Sequence, residues 1–66
     1  MSEPEKPRFI LIIDGSINTR SLLGAQLKEE GFEALGAANL EEAVFMLGRL
    51  NEVPSLVVID SQELLT

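Results

Sequence analysis

Five consecutive apolar residues, Phe9 to Ile13 (FILII), stand between Arg8 and Asp14. A strand with one wet face alternates apolar and polar residues. This run does not alternate, so as a strand it must be covered on both faces. Two-sided cover belongs to parallel sheets, whose crossover helices lie on the sheet faces. A chain of 66 residues has little with which to provide it. A domain of that size buries only roughly 60% of the surface its unfolded chain exposes. Small proteins usually add disulfides, a metal or a partner chain. Cysteine and histidine are both absent, so disulfides and a Cys/His zinc site are excluded. A partner chain is the device left.

The rest of the chain supplies crossovers of suitable length. Residues 1–7 (MSEPEKP) read as a flexible lead-in, rich in charge and proline. After Asp14-Gly15, a helix is expected to start near Ser16 or Asn18, either of which can cap free amides. Ile17, Leu22, Leu23 and Leu27 form its expected core stripe. Gly24 weakens that helix and suggests close packing of its backbone. Gly31, followed by Phe32, sits where a left-handed helix cap is expected. Residues 33–38 (EALGAA) make a weak strand candidate. Asn39 and Glu42 make a variant capping box for a second helix, with Leu40, Ala43, Val44, Leu47 and Leu50 at core spacing. Residues 51–54 end it, and Ser55 to Ile59 (SLVVI) forms a third strand closing on Asp60. Strand, helix, strand, helix, strand with right-handed crossovers gives an α/β fold with parallel sheet order 2-1-3.

Charge narrows the function. The chain has 11 acidic and 5 basic residues, a net charge of −6. The basic residues (Lys6, Arg8, Arg20, Lys28, Arg49) are scattered, so no nucleic-acid surface is expected. The longest apolar run is far short of the ~20 residues that span a bilayer, and no signal-peptide stretch opens the chain. No membrane partner and a cytoplasmic location are the simplest expectations, the lack of cysteine suiting a reducing compartment.

Asp14 and Asp60 each follow an apolar strand directly. Strand ends of a parallel sheet share one edge, where ligands of open α/β sheets collect. If the first and third strands are neighbours, the two acids face one crevice. A hard divalent cation would relieve their repulsion, which suggests a weak Mg²⁺ site or a carboxylate nucleophile. The plainer reading is that each aspartate forms a turn or caps a helix. Spacing alone leaves both open.

Residues 8–60 resemble the receiver domains of bacterial response regulators. The resemblance lies in Phe9–Asp14 followed by Arg20, in residues 27–43 (LKEEGFEALGAANLEEA), and in Pro54–Asp60 (PSLVVID). It implies a flavodoxin-like half domain over residues 8–66, belonging to two-component phosphorelay signalling. Asp60 would be the phosphoacceptor, Asp14 the first of a paired acidic Mg²⁺ site, and Gln62 a ligand through its backbone carbonyl. The sequence departs from that pattern in several places. Gly15 stands where the second acid belongs, and Ser61-Gln62 replaces the usual Met-Pro turn. The Ser/Thr and Lys of the family's fourth and fifth strands have no counterpart here. Phosphoryl transfer depends on such positioning and charge stabilisation, so Asp60 is expected to be a poor acceptor in this chain alone.

The third strand is expected to lie at a bare edge, offering unpaired backbone groups to another chain. The leading expectation is therefore a truncated or degenerate receiver, not an enzyme, that acts by homodimerisation. Val57 and Ile59 are the expected strand contacts. Phe45 and Met46 join them as interface candidates, since Phe45 lies about 140° around its helix from the core stripe. The alternative is a genuine phosphoacceptor, served by a histidine kinase, whose second half is supplied by another chain or has been removed. A nucleotide-binding enzyme fragment fares worst, because no glycine-rich phosphate loop follows any strand.

Overall fold

The computed structural model describes residues 8–50, 52–60 and 62; the expected lead-in at residues 1–7 lies outside them. The elements run β1 (Phe9–Ile13), α1 (Ile17–Glu29), β2 (Glu33–Ala37), α2 (Leu40–Arg49) and β3 (Leu56–Ile59). The three strands are parallel, in the order β2-β1-β3. Ile10 pairs with Ala34 and Leu56, and Ile13 with Ala37 and Ile59. The architecture is the βαβαβ half of a flavodoxin-like sheet, as the pattern of apolar runs predicts.

β1 is the centre of everything. All five of its residues are buried, because it alone has a strand on each side and a helix over each face. Phe9, Leu11 and Ile13 form one cluster with Ala37 and Ala43, against which Leu35, Met46, Leu47 and Ile59 pack. That is the α2 face. Ile10 and Ile12 point to the opposite face, over which α1 lies, chiefly against β2 and less against β1.

Local chemistry sets the helix ends. Ser16 caps α1, its hydroxyl accepting from the Thr19 amide at 3.3 Å. At the other end the Gly31 amide donates to the Lys28 carbonyl and the Phe32 amide to the Leu27 carbonyl, each at 3.0 Å. Those two bonds define a Schellman cap, and Gly31 adopts the left-handed φ of 94° that it requires. Asn39 caps α2 by accepting from the Glu42 amide at 2.8 Å. Glu42 reaches back to the amide of Ala38 at 3.2 Å, one residue earlier than a standard capping box.

The two helical stripes are buried less than their spacing predicts. No residue of α1 is buried. Leu23 and Leu27 are half-buried, but Ile17 and Leu22, expected in the core, are exposed. In α2, Ala43 is buried and Leu47 half-buried, whereas Leu40, Val44 and Leu50 are exposed. The cause is one of supply. Each helix lies over β1 and β2, so among the described residues its flanking apolar side chains find no element opposite them. β3 shows the same deficit, with Leu56 56%, Val57 45% and Val58 38% exposed.

Gly24 and Gly31 separate two uses of glycine. A methyl group at Gly24 would meet the Cβ of Ala34 at 3.9 Å, an ordinary contact. Gly24→Ala is expected to stabilise the fold by about 0.5–1 kcal/mol through helix propensity. Gly31→Ala has open space around it, yet is expected to destabilise by about 1 kcal/mol, since alanine resists positive φ. Urea unfolding of the two variants should move the midpoint in opposite directions.

Candidate functional site at the carboxyl edge of the sheet

The ladders place Asp14 and Asp60 side by side. The Asp14 amide donates to the Ala37 carbonyl at 3.0 Å, and the Asp60 amide to the Ile13 carbonyl at 2.9 Å. The two aspartates follow the registered pair Ile13 and Ile59 on strands roughly 4.8 Å apart. Both are half-buried. The sequence expectation that both acids reach one edge on neighbouring strands therefore holds.

Their carboxylates do matching local work. Asp14 Oδ1 accepts from the Ser16 amide at 2.8 Å, and Asp60 Oδ1 accepts from the Gln62 amide at 3.2 Å. Each is an Asx turn, in which an acid bonds the backbone two residues ahead and redirects the chain. At Asp14 the turn hands the chain to Ser16 and α1. Of the two readings that spacing left open, the turn-forming one has its hydrogen bonds in place.

Cation chemistry has a thinner basis. Mg²⁺ is commonly held by one or two carboxylates, with water or phosphate completing an octahedron. Asp14 and Asp60 meet that minimum, each with one oxygen bonded to a backbone amide. Gly15, exposed in the turn after Asp14, adds no side-chain oxygen. Gln62 is exposed, and its amide nitrogen is taken by Asp60. Among the described residues no group of three or more acidic, His or Cys side chains converges on a point.

Arg20 was not singled out for a role by its sequence context, and it braces this edge. Its Nη1 donates to the carbonyl of Asp14 at 2.7 Å. The stem reaches that carbonyl by crossing β2 at Gly36, where an added Cβ would stand 3.2 Å from Arg20 Cδ. Gly36 is thus the gap through which the side chain runs. A glycine inside a strand signals close approach of another group, which was the available clue.

The interface candidates divide by burial. Phe45 is 64% exposed, with the Arg49 guanidinium 5.6 Å from its ring centroid, a favourable cation–π distance. Val57 is exposed. Met46 and Ile59 are half-buried and pack against the core cluster, leaving only their outer parts for a partner.

Arg20→Ala removes a charge-assisted hydrogen bond and the stem over Gly36. It should destabilise the fold by about 1–3 kcal/mol. Gly36→Val should reproduce much of that loss with Arg20 intact, by closing its path. The double variant should then cost less than the sum of the two, as a thermodynamic cycle of urea unfolding would report.

Among the described residues no helix is long and apolar enough to cross a membrane. No family model, curated protein or solved structure matches the chain.

Proposed function

We propose that the chain is a degenerate receiver-like module of two-component signalling that works by protein–protein association, with a second copy of itself as partner. The observation that carries this reading is the state of β3. It pairs with β1 on one side. Its three leading residues remain more than a third exposed, and neither helix lies over it among the principal packing contacts. Parallel strands in water are normally covered on both faces. An edge unpaired among the described residues, beside exposed Leu56, Val57 and Val58, offers both backbone pairing and apolar burial. A twofold axis at that edge would run two β3 strands antiparallel and join two three-stranded sheets into one.

The acidic edge supports the same reading from another direction. Asp60 occupies the phosphoacceptor position, but its neighbour Asp14 is bound up in a turn and Gly15 stands in place of the second acid. Such a site is poorly equipped to balance the charge of a transferring phosphoryl group. The second reading, a working phosphoacceptor served by a histidine kinase and completed by another chain, draws on the adjacent placement of Asp14 and Asp60. A cytoplasmic setting belongs to either reading.

Sedimentation at micromolar concentration is expected to give twice the chain mass, falling towards a single chain on dilution. Val57→Lys should shift that equilibrium to the monomer by at least tenfold while the far-ultraviolet circular dichroism holds. Phe45→Glu should shift it the same way if the exposed ring on α2 belongs to the interface, and leave it unchanged if the contact is confined to the β3 edge. A folded monomer at every concentration would overturn self-association. Incubation with Mg²⁺ and acetyl phosphate should leave Asp60 unlabelled. Stoichiometric, base-labile label lost in Asp60→Asn would instead favour the phosphoacceptor reading.

A further inference from the structure

On the α1 side of the sheet, an open groove of about 440 Å³ runs between the helix and the edge strand. Its apolar lining is Ile12, Leu23, Leu27 and Val58, and Glu29 and Glu30 stand at one end. By register, Leu56 lies on the same face as Val58, opposite Ile10. Among the described residues the groove is therefore an apolar trough bounded by helix on one side and open beyond β3 on the other. Both glutamates are exposed, and they sit at the C-terminal turn of α1, the negative end of the helix dipole. Acids there are unfavourable for the helix itself. Lys28 in the same turn offsets part of this, and a cation from outside would offset more.

From this we infer that the groove binds a basic amphipathic helix of a partner protein. The floor takes its apolar stripe, and Glu29 with Glu30 takes lysines or arginines on its flank, a helix-in-groove mode of recognition. α1 has 13 residues, about 20 Å at 1.5 Å per residue, so roughly three turns of a partner would lie alongside it.

A second copy of this chain does not fit that description. α1 contains Arg20 and Lys28 beside Glu29, and α2 contains Arg49 against Glu41 and Glu42. Neither has a basic face. The net charge of −6 adds to the attraction of a basic partner. The inference does not rest on self-association: edge pairing uses the backbone of β3, while the groove uses its α1-side face.

The probe is a synthetic 18-residue helical peptide with leucine at every third and fourth position and lysine elsewhere, followed by fluorescence anisotropy and by methyl NMR. Saturable binding should shift the methyl signals of Leu23, Leu27 and Val58. The double variant Glu29→Lys, Glu30→Lys should weaken it at least tenfold. Glu41→Lys with Glu52→Lys, an equal change of net charge at exposed positions away from the groove, should weaken it less than threefold. The corresponding leucine/glutamate peptide should not bind. Equal losses in the two double variants would reduce the effect to overall charge and overturn the proposal, as would binding that leaves those three methyl signals unmoved, or no binding at all.

Discussion

Everything in this fold depends on the two-sided burial of β1. Its five apolar residues have no polar face to turn to water, and they are covered only because β2 and β3 pair on its flanks while α1 and α2 lie on its faces. Full burial of an aliphatic side chain is worth about 1.5–3 kcal/mol, so this strand is the main source of stability in a chain with no covalent staple. The other elements are positioned by their relation to it. Asp14 and Asp60 come together because their amides continue the ladders at its carboxyl end.

The cover is complete for one strand and partial for the rest. Two helices suffice to sheathe the line where β1 meets β2, and what lies beyond that line stays wet. The exposed Ile17 and Leu22 of α1, Leu40 and Val44 of α2, and Leu56, Val57 and Val58 of β3 are consequences of the same shortage among the described residues. Exposed apolar side chains scattered singly are ordinary on protein surfaces. Those of β3 adjoin a strand edge that is unpaired among the described residues, which gives them a direction. The acidic edge follows a different economy: each carboxylate secures a turn, and the geometry that displays the pair also occupies half of its oxygen atoms.

Much of the architecture was legible in the residues. The unbroken FILII run called for parallel neighbours and helices, and right-handed crossovers then fixed the order β2-β1-β3. Ser16, Gly31 and Asn39 announced their caps because capping is a local bond between a side chain or a glycine and the nearest turn. Burial of the helical stripes was less legible. Spacing at three and four residues tells which side of a helix is apolar, but not whether an element stands opposite, and so Leu22 and Val44 were expected inside. Arg20 was missed for a related reason. Its contact with the Asp14 carbonyl is tertiary, routed over Gly36, and only the mid-strand glycine hinted at it.

Amide hydrogen exchange read residue by residue at several protein concentrations tests the account most directly. The amides of Phe9–Ile13 should exchange slowest at every concentration, since opening them requires global unfolding. Outward-facing amides of Leu56–Ile59 should gain protection as concentration rises and lose it on dilution, with β1 unchanged. Equal, concentration-independent protection of β1 and β3 would mean that β3 is already covered within a single chain, and would contradict the account at its base.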